Sequence, residues 1–131
     1  MLGVDSNVIV RLLVSDDVAQ QKAVISRLNE MRQRGEWAVV TPVVLAEVSW
    51  VLDSVYGFDR ERVGAALKAL LETPPFTVTG RASVVQAIAW YLAGPADFSD
   101  YLILALARAE GADRLLSFSK DMLKHPFALR P

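Results

Sequence analysis

Five carboxylates in this chain stand where an acid could do chemistry: Asp5, Glu47, Asp97, Asp100 and Asp121. Asp5 closes a short apolar run, residues 2–4, just before polar Ser6 and Asn7. Glu47 follows Val44 and precedes Trp50 and Val51 at helical spacing, on or beside an apolar stripe. Asp97 and Asp100 fall in ADFSDYLILALA, where Asp100 shares a helix face with Ile103, Leu104 and Ala107. Asp121 lies in SFSKDM. Singly, each acid has an ordinary structural use. A first-turn glutamate is favoured by the helix dipole, and aspartate is a common N-cap or turn residue. Asp97 reads first as a cap. Asp5, Glu47, Asp100 and Asp121, however, all follow a strand closely or stand in the first turns of the next helix, and in a parallel α/β sheet such places share one edge. Carboxylates crowded there repel, and some stay protonated. A hard divalent cation with oxygen ligands, Mg²⁺ or Mn²⁺, removes the conflict. Two such ions could stabilise the attacking and leaving oxygens of a phosphodiester displacement.

The elements needed to place these acids can be read from periodicity and breakers. Residues 2–4 form a short buried strand and 8–13 a short helix. Asp16 and Asp17 then start a helix with Val24, Ile25, Leu28 and Met31 on one stripe, and Gly35 stops it. WAVVT, residues 37–41, is a strand. Thr41 and Pro42 open a helix that carries apolar residues at 44, 48, 51, 52 and 55 and ends at Gly57. Asp59 caps the next helix, striped by Val63, Ala66, Leu67 and Leu70, and Pro74–Pro75 breaks it. FTVT, residues 76–79, is a third strand. Residues 81–92 form a helix burying Val84, Val85, Ile88 and Leu92. Asp97 or Ser99 caps a last long helix that ends at Gly111. Residues 115–118 make a fourth strand, and 128–129 a short fifth. Apolar strands alternating with helices predict an α/β fold whose parallel sheet of four to five strands is covered on both faces. Ligands of such folds bind outside the carboxyl ends of the strands, and Asp5 stands at one.

Composition sets the outer bounds. The 131 residues suit one domain, residues 1–131. Hydrophobic residues make up 53% and charged residues 22%, enough apolar material for a core and too much for disorder. The absence of cysteine excludes disulfides and thiolate metal sites and suits a cytoplasmic protein. No signal-peptide pattern opens the sequence. Its longest uncharged stretch, residues 82–96, contains Ser83, Gln86, Gly94 and Pro95, so a membrane span is not expected. The net charge of −1 and pI near 5.8 argue against a broad basic surface for nucleic acid. Contact with nucleic acid would need local basic residues, a cation or a partner chain.

Four segments carry a family resemblance: VDSNVIVRLL, TPVVLAEVSWVL, ADFSDYLILALARAEG and LLSFSKDM. Their order, their spacing and the total length resemble the PIN domains, most closely the VapC-type toxins of type II toxin–antitoxin pairs. The resemblance implies a three-layer α/β/α fold with a central parallel sheet, and an endoribonuclease dependent on Mg²⁺ or Mn²⁺. It places catalytic, metal-holding acids at Asp5, Glu47, Asp100 and Asp121, with Asp97 as a companion. It places Ser6, Asn7 and Ser117 around them in support. Many family members carry an acid where this chain has Ser119, so the fourth acid is less crowded here. The implied chemistry is in-line attack of an activated water on a scissile phosphate, with no histidine as base. The single histidine, His125, reads as a surface-loop residue. The implied partners are an RNA substrate, a cognate antitoxin protein and a second copy of the chain in a homodimer. The apolar helices over 43–55 and 59–71 are available to bury against a partner.

A non-catalytic or receiver-like Mg²⁺-binding interaction module on the same scaffold is the alternative. A receiver needs an acid pair after strand one and an aspartate after strand three. Here strand one offers only Asp5, and strand three ends in Thr79–Gly80. A haloacid-dehalogenase-like phosphatase needs a second aspartate where Asn7 stands. No glycine-rich nucleotide loop is present.

Overall fold

The computed structural model describes residues 1–131, and its tertiary contacts gather into two compact units, Met1–Thr79 and Gly80–Pro131. In the first unit, β1 (Leu2–Gly3), β2 (Ala38–Val40) and β3 (Phe76–Val78) form a parallel sheet in the order β1-β2-β3. Leu2 pairs with Ala38, and Ala38 in turn with Phe76. Pairing continues past β1, with the Val4 N–H donating to Val39 O at 3.0 Å, and the chain reaches Asp5 at the very end of the ladder.

Four helices accompany this sheet: α1 (Ser6–Leu13), α2 (Val18–Arg34), α3 (Pro42–Ser54) and α4 (Arg60–Glu72). Their boundaries follow local chemistry. Asp17 caps α2 by accepting from the Gln20 N–H at 3.0 Å, and Asp59 caps α4 from the Arg62 N–H at 2.8 Å. Gly35 ends α2 with φ of 69°, a left-handed conformation that glycine adopts without a Cβ penalty. Pro42 occupies the first turn of α3, where its missing N–H costs nothing. On α3, Leu45, Val48 and Leu52 are fully buried, each worth roughly 1.5–3 kcal/mol. Helix α3 packs directly on α1, which buries Ile9 and Val10.

The second unit holds α5 (Arg81–Ala93), α6 (Phe98–Ala109), and the parallel pair β4 (Leu115–Leu116) and β5 (Ala128–Leu129). A short 3₁₀ turn, η1 (Met122–Lys124), joins the strands and buries Met122. Helices α5 and α6 are the principal packed pair. The five strands thus hydrogen-bond as a group of three and a group of two, parallel within each. No helix is long and apolar enough to cross a membrane.

Several expected stripes are turned. On α2 only Met31 is buried, while Ile25 is exposed. On α3 the buried set is Leu45, Val48, Ser49 and Leu52, and Val55 is exposed. Helix α5 buries Val84, Ala87, Ile88 and Tyr91, leaving Val85 and Leu92 outside. Ile103 of α6, expected inside beside Leu104, is 54% exposed. Apolar residues ring α3 and α5 almost completely, so periodicity alone could not choose the face that neighbours cover.

Candidate metal and active site

In the first unit two of the expected acids, Asp5 and Glu47, are brought to one residue, Ser6. Asp5 is the N-cap of α1, and its Oδ1 accepts from the Ser6 N–H at 2.6 Å. The Ser6 hydroxyl donates to Glu47 Oε2 at 2.7 Å and lies 3.3 Å from Asp5 Oδ1. A serine hydroxyl has one proton, so the shorter contact holds it and Ser6 ties α1 to α3 through Glu47. The packing of α1 on α3 sets this closeness: Asp5 is fixed by the end of β1, and Glu47 by the second turn of α3. Neither carboxylate pairs with a lysine or arginine. Glu47 is exposed, as are Val43 and Trp50, four residues before it and three after, at 70% and 64%. The Asn7 side chain does not join the group. It lines a surface pocket of about 410 Å³ with Arg11 and Gln20.

In the second unit Asp97 and Asp100 open α6 as a capping box, with the Asp97 N–H donating to Asp100 Oδ2 at 3.3 Å. The pKa of Asp100 is raised from its ordinary value. Burial is the main cause, and the charges of Asp97 and Asp121 push the same way, while the hydrogen bond from the Asp97 N–H opposes them. Asp100 is therefore an acid that feels two other acids. Asp121 is exposed and meets Lys124 Nζ at 3.7 Å, a partner that sequence reasoning missed although the i, i+3 spacing in DMLK carries it. Ser117 Oγ accepts from the Ser119 N–H at 3.0 Å, and Ser119 Oγ accepts from the Met122 N–H at 3.3 Å. Both hydroxyls thus shape the turn that carries Asp121. At Ser119, where the resemblance leads one to expect an acid, a hydroxyl serves as the backbone acceptor.

A match to the family model described as PIN domain covers residues 3–128, nearly the whole chain and both compact units. The chain belongs to the PIN-domain family. No curated protein and no solved structure matches it closely enough to count as a relative. PIN domains are generally nucleases, and they generally use divalent metal ions. The alternation of helices with parallel strands is that of the PIN α/β class and is consistent with a three-layer α/β/α arrangement.

The donors can be tested against such an ion. All the candidate ligands are carboxylate oxygens, the donor type that hard divalent cations take. Asp100, raised in pKa partly by its acidic neighbours, is the sort of group a cation would stabilise as an anion. In donor chemistry, then, this PIN domain fits Mg²⁺ or Mn²⁺. The structure nevertheless draws no three Asp, Glu, His or Cys side chains close enough to form a ready cage. His125 lies in a loop, as expected. It is half-buried, its ring 4.7 Å from that of Trp90.

Proposed function

We propose that this PIN domain is an endoribonuclease dependent on Mg²⁺ or Mn²⁺ and the toxin of a type II toxin–antitoxin pair. One observation carries the reading: Asp5 and Glu47, from different elements, are joined only through Ser6, whose backbone N–H meets Asp5 and whose hydroxyl meets Glu47, with no basic side chain to neutralise them. Carboxylates held this way favour an added cation. The reading assigns metal binding to Asp5, Glu47, Asp100 and Asp121, with Asp97 as a weaker contributor. When bound, the ion would supply Lewis acidity at the scissile phosphate. The chain's own part is to hold its carboxylates in place. Ser6 fixes the Glu47 carboxylate, the cap at Asp5 fixes the first acid, and the capping box fixes Asp100. Asn7 and Ser117 are assigned supporting places. The exposed Val43 and Trp50 on α3, with Val55 just past its end, support an apolar partner surface, assigned to a second copy of the chain or to the antitoxin.

The test is purified protein with Mg²⁺ or Mn²⁺ and a mixture of structured RNAs, read on a gel. Wild type should cut, and EDTA should stop it. Glu47→Gln, nearly isosteric but uncharged, should keep the fold and lose at least about a hundredfold in rate, the order of loss seen when a transition-state contact is removed. Expression of the wild type without its antitoxin should slow growth, and Glu47→Gln should not. Equal cutting by the two proteins would mean contamination. No cutting by either, with harmless expression, would leave a non-catalytic module.

A further inference from the structure

Where α5 meets η1, the surface of the second unit carries an open pocket of about 270 Å³ that the acids do not use. Trp90, Tyr101, His125, Pro126 and Lys124 line it. Its volume is close to the lower end of known ligand pockets, about 300 Å³, and suits one flat ring system, not a stretch of chain. Trp90 and His125 meet edge to face at an interplanar angle of 73°. The far side of this wall is fixed by Phe127, over which the Arg108 guanidinium lies at 3.5 Å. Tyr101 is buried, and its hydroxyl accepts from the Ala96 N–H at 3.2 Å. The wall is therefore rigid, although Trp90 is only half-buried.

The polar groups are specific. His125 Nδ1 accepts from the Phe127 N–H at 3.1 Å, so a neutral ring carries its proton on Nε2 and is a donor there. Burial, and then the Arg108 charge, lowers the His125 pKa and keeps that neutral form at physiological pH. Lys124, whose side chain is 67% exposed, puts a cation at the rim and also pairs with Asp121. An aromatic wall, one fixed donor and one mobile cation match a base, its edge and its phosphate.

We propose that this pocket takes a single unpaired base of the RNA substrate, stacked on Trp90, hydrogen-bonded by His125 Nε2–H and with its phosphate on Lys124. The proposal rests on the nuclease reading and adds to it a base-selecting subsite beside Asp121. A proline-rich peptide would also suit an aromatic wall, but it gives Lys124 no partner. The charge at the rim favours the nucleotide.

The test uses the full chain with Trp37→Phe and Trp50→Phe, which leaves Trp90 as the only tryptophan. Nucleoside 5′-monophosphates should quench its fluorescence saturably, one base better than the other three. In Lys124→Ala the monophosphate should bind no better than its nucleoside. His125→Ala should raise the half-saturating concentration roughly tenfold, within the range for losing one stacked or hydrogen-bonded contact to a base. Lys124 is exposed, so its variant reports even if the His125 variant folds poorly. Cleavage of RNA without quenching by any nucleotide would overturn the pocket and leave the nuclease standing. Quenching without cleavage of any RNA would overturn the nuclease reading, and this role with it. Quenching by a proline-rich peptide at lower concentration than by any nucleotide would make the pocket a protein-docking site.

Discussion

At Asp100 two demands meet on one side chain. It closes the capping box of α6, which a neutral amide oxygen could do as well as a carboxylate. It is also an anion in a partly buried place near Asp97 and Asp121. The raised pKa means that the folded state holds a proton more readily than the unfolded chain. Between the ordinary carboxylate value of 3.8 and the raised folded value, the unfolded state binds fewer protons, and stability falls as pH rises through that window. Above it, the ionised Asp100 opposes folding. Asp100→Asn should therefore melt no lower than the wild type at neutral pH without metal, because asparagine keeps the acceptor and drops the charge. Added Mn²⁺ should raise the wild-type melting temperature by linkage and raise that of the variant less. Differential scanning fluorimetry with and without EDTA reads both. A marked drop in the variant without metal would make Asp100 a structural cap, where losses of about 1 kcal/mol are typical. The places of these acids in the fold were legible in the sequence because each stands at or near a boundary that the sequence also marks. Asp5 ends a strand, Glu47 follows the Thr41–Pro42 start and Asp97 caps α6. Ser6 as the tie between Asp5, through its N–H, and Glu47, through its hydroxyl, was not legible. It depends on how α1 lies on α3, and no spacing within either segment encodes that.

At the scale of elements, the arrangement of α1 and α3 is held at its far end by a second polar tie. The Tyr56 hydroxyl, just beyond α3, donates to Asp16 Oδ2 in the turn between α1 and α2. Asp16 Oδ1 also accepts from Arg11 of α1 at 3.0 Å, and Arg11 donates to Gln20 of α2. The Asp16–Arg11 pair therefore links α1, α2 and the end of α3. Asp16 has its pKa lowered, first by the Tyr56 hydrogen bond and then by the Arg11 charge, while burial works against both. A lowered folded pKa contributes stability that is present above the unfolded value of 3.8 and is lost as pH falls through the folded one. Tyr56→Phe should melt below the wild type at pH 7, and the gap should close as pH falls below the ordinary carboxylate range. Thermal melts from pH 7 to pH 2 check it. A constant gap would assign the effect to lost ring packing instead of to the carboxylate. Helix boundaries were legible because capping and stop signals are local: Asp17, Gly35 and Asp59 all act within a few residues of chain. Helix faces were read less well. Val85, Leu92 and Ile103 look as apolar as their buried neighbours, and only the packing partner decides which of them is covered. The ring contact of His125 was not legible for the same reason. Its packing against Trp90 joins two segments far apart in sequence.

For the whole molecule, charge constrains how RNA could be held. With 14 lysines and arginines against 15 acids, the chain has no net positive field to draw a polyanion. Proteins that bind through broad basic surfaces release many counterions, and their affinity falls steeply with salt, by about 0.7 in log K per log salt for each phosphate neutralised on a single strand. Here the reading relies on a cation at the acids and on few basic side chains, Lys124 among them. RNA binding should thus show a shallow salt slope, corresponding to roughly two or three phosphates, and should weaken sharply when the divalent ion is removed. The measurement is fluorescence anisotropy of a labelled single-stranded RNA between low and moderate salt, with Ca²⁺ in place of Mg²⁺ to slow cleavage. It is then repeated in EDTA. Lys124→Ala should flatten the slope by about one phosphate, because one cationic contact is gone. A steep slope that EDTA does not change would show that RNA binds along a basic surface independent of the carboxylates. Asp5, Glu47, Asp100 and Asp121 would then lose their assigned part in holding the substrate, even if the PIN fold stands.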